Sequence, residues 1–232
     1  MQTQPEYYQP FAAAYIRGKL YTQEGRVHPE LFEPALDELS ANEVAQLVAL
    51  AQSHELRLHR FKRSMGLPRV QKVLGILKGL QPANLLDIGT GRGVFLWPLL
   101  DALPDLPVTC IDLLDYRAAD LQTVRAGGIT RLDALHGDAT ALPFADRSFD
   151  IVTMLEVLEH IPETGKALAE VCRIAQRFVL FSVPSKEDDN PEHIHLFNQH
   201  QLSLLLAEQG ITHVHFAYVL NHIIVLAGIE RL

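Results

Sequence analysis

The sequence predicts an α/β fold: a seven-stranded, mostly parallel sheet with an antiparallel last strand and helices on both faces, preceded by a helical appendage. Three observations predict it. Beyond Gly66, short apolar runs rich in Val, Ile and Leu alternate with amphipathic segments, as in a sheet buried on both faces. Residues 85–93, LLDIGTGRG, read as a buried strand running into a glycine turn. The last two apolar runs are separated only by Leu220 and Asn221, so they can pair only as an antiparallel hairpin.

Residues 1–65 are expected to form the helical cap and residues 66–232 the sheet domain. In the cap, Val44, Leu47, Val48, Ala51 and Leu58 fall close to a helical stripe, and Ser40 with Glu43 three residues later makes a capping box. Phe11 and Tyr15, one helical turn apart in an aromatic group with Tyr7 and Tyr8, dock the first helix on a core. Strands are expected at about 84–88, 107–111, 132–136, 149–154, 177–183, 211–219 and 222–228, with helices mostly between the first five.

A chain of 232 residues that is 48% hydrophobic can bury one substantial core but not two full domains. Its formal net charge of -8 argues against coating nucleic acid through overall charge, so a small or positionally held substrate fits better. Arg57, Arg60, Lys62, Arg63, Arg69 and Lys72 oppose this trend with only Glu55 among them. Lacking interleaved aromatics for base stacking, they read as solvated helix faces in preference to a phosphate-steering patch. Cys110 and Cys172 fall in a strand and a helix and staple nothing, which points to a reducing cytoplasm. No apolar run reaches the roughly eighteen residues of a membrane helix, and MQTQPEYYQP has no secretory character, so a soluble protein is expected.

The candidate ligand site begins at the glycine turn, where three positions without a Cβ let a ligand approach the backbone closely. The spacing Gly89-x-Gly91-x-Gly93, with Val94 where a dinucleotide fingerprint wants glycine, disfavours a nicotinamide cofactor. Asp112 ends the second strand twenty-five residues after Asp87, where a carboxylate can accept from both hydroxyls of a ribose; Asp115 is the alternative. Asp138, after the third strand, can accept from an adenine amino group while neighbouring apolar groups sandwich the ring. Each feature alone also has an ordinary reading as a turn, a cap or a loop residue, but their succession on consecutive strand ends describes an adenosine-shaped pocket.

Through LLDIGTGRG, VTCID, GDATALPF and FDIVTMLEVLEHI, the chain resembles the Rossmann-like class I S-adenosylmethionine-dependent methyltransferases, over roughly residues 66–232. The resemblance implies that Gly89 and Gly91 approach the methionine part of the cofactor, Asp112 the ribose, and Asp138 with Ala139 the adenine. Asp87, Gly93 and Glu156 complete the expected cofactor-binding set.

Methyl transfer is an in-line displacement that needs a positioned nucleophile and, in many cases, a base. If the chain is helical from Glu156, then Glu156, Glu159 and His160 share one face at i, i+3 and i+4, and His193 or His195 of the segment after strand five can approach it. Glu156, Glu159, His160 and His193 are the expected catalytic residues; Glu156, Glu159, His160 and His195 are candidate ligands for a divalent Mg, Mn or Zn ion. The Glu-x-x-Glu-His pattern is similar to two metal-using branches of the family, small-RNA 3′-terminal 2′-O-methyltransferases and ubiquinone-pathway catechol O-methyltransferases. The spacing from His160 to His193 or His195 is short for the RNA branch, and its other substrate segments are not recognisable. The bland alternative is that Glu159 and His160 close a helix start; without a metal, His160 or His193 can act as a general base. The expectation is therefore methyl transfer to an oxygen or nitrogen of a small molecule, with RNA-directed methylation and a non-catalytic cofactor-binding role as the alternatives.

Overall fold

Seven strands form one sheet, laid out in the order third, second, first, fourth, fifth, seventh and sixth along the chain. A computed structural model describes residues 7–63 and 66–229, so residues 1–6, 64 and 65 of the expected cap lie outside the described residues. The strands are β1 (Leu85–Ile88), β2 (Val108–Asp112), β3 (Leu132–His136), β4 (Phe149–Leu155), β5 (Ala175–Pro184), β6 (Val214–Val219) and β7 (His222–Gly228). The first five run parallel; β7 is antiparallel to both β5 and β6. The final hairpin turns through Leu220, whose φ of 51° is left-handed. Strand β6 begins at Val214, later than expected, because the Ile211 N–H is used on the Leu206 carbonyl to close the preceding helix.

All four residues of β1 and six of seven in β4 are buried, which is why these strands read as continuous apolar runs without alternation. Alternate residues serve opposite faces. Leu85, Val108, Cys110 and Ile151 join one core with helices α4 (Pro68–Leu80), α5 (Leu96–Ala102) and α6 (Asp115–Ala126). Leu86, Ile111, Val152 and Met154 join the other with α7 (Thr164–Ile174) and α8 (Gln199–Glu208).

The N-terminal helices α1 (Gln9–Glu24), α2 (Pro29–Phe32) and α3 (Ala41–Ser53) extend the first of these cores. The Ser40–Glu43 capping box opens α3, and Val44, Leu47 and Ala51 bury its inner stripe. Small residues let α1 approach α6 at backbone distance: a Cβ on Gly18 would lie 2.2 Å from the Thr123 carbonyl, and one on Gly127 only 1.7 Å from that of Ala14. An aromatic cluster fixes the other end of α1. The Phe11 ring stacks on Trp97 with centroids 5.5 Å apart, and Phe61 packs between Trp97 and Tyr15 at 4.9 and 5.3 Å.

Gly127→Ala is therefore expected to destabilise the fold by about 2–3 kcal/mol, because its methyl would meet rigid backbone. Gly75→Ala, in an α4 interior with open space around the site, should stabilise by about 0.5–1 kcal/mol. Urea denaturation of both variants checks the pair; equal effects would refute the close α1–α6 docking.

Candidate active site

Carboxylates organise the carboxyl end of the parallel strands. Asp112, the last residue of β2 and 4% exposed, accepts the Gly91 N–H on Oδ2 at 2.8 Å and the Leu114 N–H on Oδ1 at 3.0 Å. A carboxylate has about four acceptor positions, so each oxygen retains one. The Arg117 guanidinium stands 3.6 Å from Oδ2. The glycine turn takes left-handed geometry, with φ of 69° at Gly89 and 61° at Gly91, and a Cβ on Gly89 would lie 2.4 Å from Val157 Cγ2. The loop after β4 thus rests on the glycine turn.

Asp87 sits beneath that turn, 2% exposed, accepting from Thr90 Oγ1 at 2.9 Å and Thr153 Oγ1 at 2.8 Å. Burial pushes its carboxyl up to about 7. Beyond β3, Asp138 is exposed; its Oδ1 accepts from the Thr140 N–H and hydroxyl, both at 2.8 Å, and Oδ2 has no partner among the described residues. Ala139 is buried beside it, and Leu113 and Leu114 stand exposed at the rim after Asp112. The apolar rim went unnamed in the sequence reading, although the polarity break straight after Asp112 signals it.

The chemistry loop departs from expectation. Glu156 is not helical: its φ is 56°, and only Leu158–His160 form a single 3-10 turn, so Glu156 does not share a face with Glu159 and His160. The left-handed residue turns its side chain toward β5 and β7. There Oε1 accepts the Ser182 hydroxyl at 2.6 Å and Oε2 lies 3.1 Å from His222 Nε2. Neither Ser182 nor His222 was singled out from the sequence.

Glu159 points the other way and is fully buried; neither of its oxygens has a hydrogen-bond partner among the described residues. Burial pushes its carboxyl up to about 8. The backbone N–H groups of Ile194 and His195 both donate to the Glu159 carbonyl, which hooks the segment after β5 over this turn. His193 lands with Nε2 at 3.9 Å from Glu159 Oε1, and its ring packs edge-on to His160 at 4.8 Å. His195 instead donates from Nε2 to the Ile161 carbonyl at 3.1 Å. Among the described residues the group able to converge on one ion is Glu159, His160 and His193, whose ligand atoms all lie within 4.8 Å of one another. Glu156 and His195 of the expected ligand set are outside it.

Two arginines of the basic stretch are occupied. Arg60 pairs with Asp120 at 2.6 Å, and Arg63 pairs with Asp101 at 3.3 Å while lying over the Tyr8 ring. A cavity of about 740 Å³ lies at the opposite, amino end of β2 and β3, lined by Arg17, Tyr21, Phe32 and Arg131 and by none of the candidate site residues.

Comparison with known proteins places this arrangement. Residues 86–180, from β1 into β5, match the model of a family described as a methyltransferase domain. That segment is similar to a methyltransferase domain. It is 30% identical over 115 residues to a malonyl-[acyl-carrier protein] O-methyltransferase of Geobacter sulfurreducens, covering 49% of this chain and 43% of that one. To a demethylmenaquinone methyltransferase of Renibacterium salmoninarum it is 39% identical over 95 residues, covering 40% and 37%. The matched part thus spans less than half the length of these curated relatives. A SAM-dependent methyltransferase from Aquifex aeolicus shares the fold with a TM-score of 0.60 at 24% identity, over 71% of this chain and 92% of that one. Magnesium protoporphyrin IX methyltransferase from Synechocystis does so with a TM-score of 0.56 at 15% identity, over 91% and 97%. The matched segment ends before His193 and His222.

One prediction follows from the carboxyl under the glycine turn. Asp87 stays protonated in the folded domain up to about pH 7, whereas its ordinary value is 3.8. Between those values only the unfolded chain has released this proton, so its contribution to stability is full below about pH 4 and is lost as the pH rises through 7. Asp87→Asn should remove up to about 4 kcal/mol of this pH dependence, at about 1.4 kcal/mol per pH unit. Denaturation midpoints of both proteins from pH 4 to 8 check it; parallel curves would refute it.

Proposed function

We propose that this chain is an S-adenosylmethionine-dependent methyltransferase acting on an oxygen or nitrogen of a small molecule. One observation carries the reading: the buried Asp112 carboxylate binds the backbone of the glycine turn and keeps an acceptor position on each oxygen, beside the unpartnered Oδ2 of Asp138. Such a pair suits two ribose hydroxyls and an adenine amino group. Gly89, Gly91 and Gly93 would pass the methionine part and Ala139 would flank the ring. When bound, the cofactor supplies an electrophilic methyl group.

The relatives are named for both O- and C-methylation, so the atom methylated is this proposal's finer part. A small acceptor is favoured over RNA because Arg60 and Arg63 of the basic stretch are paired with acids or aromatic faces. A buried Glu159 and an ordered Glu156 pair at the methyl end favour an enzyme over a cofactor-binding regulator.

Glu159 also favours a divalent ion. With both oxygens unpartnered among the described residues, its buried carboxyl keeps a proton unless a cation takes the proton's place. The histidines beside it are set as ligands: His160 Nδ1 donates to the Glu192 carbonyl at 2.9 Å, and His193 Nδ1 lies 2.9 Å from Asp188, which leaves each Nε2 as the free nitrogen. Two imidazoles and one carboxylate suit zinc better than magnesium or manganese. A held ion would lower the proton affinity of an acceptor oxygen.

Calorimetric titration with S-adenosylhomocysteine should give micromolar binding, and Asp112→Asn should weaken it by at least about tenfold, or about 1.4 kcal/mol. An unchanged dissociation constant would remove Asp112 from the site, and no binding by the native protein would sink the reading. Release of S-adenosylhomocysteine across panels of hydroxyl, amine and carbon-acid acceptors then identifies the atom methylated. For the ion, cobalt(II) titration of metal-stripped protein should develop visible absorption bands that Glu159→Ala and His193→Ala abolish; a featureless titration would exclude it.

A further inference from the structure

Topology places one histidine where the parallel strands alone cannot. Strands β1, β4 and β5 deliver only their last residues to the carboxyl edge; β7 runs the opposite way beside β5 and delivers its first, His222, which pairs with Pro184 at the end of β5. The Ser185 N–H on the Asn221 carbonyl at 2.8 Å fastens that corner. The edge is that of the glycine turn, since Val157 against Gly89 is the neighbour of Glu156.

Ser182, Glu156 and His222 form a chain. Ser182, 1% exposed on β5, donates its hydroxyl to Glu156 Oε1 at 2.6 Å, while Ser182's carbonyl accepts the Glu156 N–H at 2.9 Å. Both ends of Glu156 are thereby held in the left-handed conformation that an L-residue rarely adopts, a form of strain that persists where the surroundings over-determine it. Oε2 lies 3.1 Å from His222 Nε2, an ion-pair distance, and a carboxylate there favours a proton on Nε2. The lone pair is then on Nδ1, which has no partner among the described residues, and the His222 side chain is 23% exposed and so open to an acceptor.

We propose that His222 Nδ1 takes the proton of the methyl-receiving group, with Glu156 and Ser182 as positioning residues. This deepens the methyltransferase reading and rests on it. As the acceptor's oxygen or nitrogen lone pair bonds to the methyl carbon, the carbon–sulfur electron pair returns to sulfur and the acceptor's proton passes to Nδ1. The products are the methylated acceptor, neutral S-adenosylhomocysteine and an imidazolium whose charge faces Glu156. Water removes the proton before the next turnover. The position is that of an oriented general base.

The test is long-range proton–nitrogen NMR of the imidazoles in the full chain, with the His222 signal identified by its absence in His222→Asn. The expected result is a neutral Nε2–H tautomer, shifted toward Nδ1–H in Glu156→Gln, whose amide can donate to Nε2, while the other histidine signals stay in place. Sinefungin, which carries an amine where the cofactor holds its methyl, should move the Nδ1 signal further than S-adenosylhomocysteine does. A native Nδ1–H tautomer, or identical responses to both ligands once bound, would overturn the proposal. Failure of both ligands to bind would instead remove the methyltransferase reading, and this proposal with it.

Discussion

The hydrogen bond from the Gly91 N–H to the Asp112 carboxylate is the constraint on which the ligand end of this domain depends. It joins the end of β2 to the turn after β1, where the Gly89 N–H also donates to the Ile111 carbonyl at 2.8 Å. With it in place, the left-handed glycines are held open toward the strand ends and Val157 can settle against Gly89. Asp87 supports the same turn from below through Thr90 and Thr153, so one loop is clamped by a buried carboxyl on each side. At Asp87 burial outweighs the two hydroxyl donors and raises the carboxyl.

The cap shows the same economy at its own interface. Instead of a wide apolar stripe, α1 presents Ala14 and Gly18 to α6, and contact between backbones replaces contact between side chains. Close approach of this kind needs exact spacing, and the Phe11–Trp97–Phe61 cluster supplies it. Arg60 then closes on Asp120 of α6, alongside Tyr15, so this charge of the basic stretch is used in docking the cap.

Much of this was legible in the sequence because it is local. A strand buried on both faces must be apolar throughout, and a glycine turn must follow it where the backbone takes positive φ; LLDIGTGRG states both. Ser40 and Glu43 state their cap equally directly. What escaped depends on one dihedral or on long-range order. Periodicity assigned Glu156 to a helical face with Glu159 and His160, and a single left-handed residue reverses it, with nothing in the run EVLEH to mark the change. His222 escaped because a residue at the start of a strand joins a site at strand ends only if that strand lies antiparallel beside β5, and the hairpin signal alone leaves open which of its arms does so.

That reversal gives two glutamates three residues apart opposite environments. Glu156, part-exposed, has a hydroxyl donor on one oxygen and an imidazole against the other. Glu159 has no donor on either oxygen among the described residues and no exposure, so burial opposes its charge until a cation or a proton arrives. Val157, which follows Glu156 and precedes the 3-10 turn that holds Glu159, bears on the glycine loop, so the residue between the two environments also fixes the loop after β4 on the turn after β1.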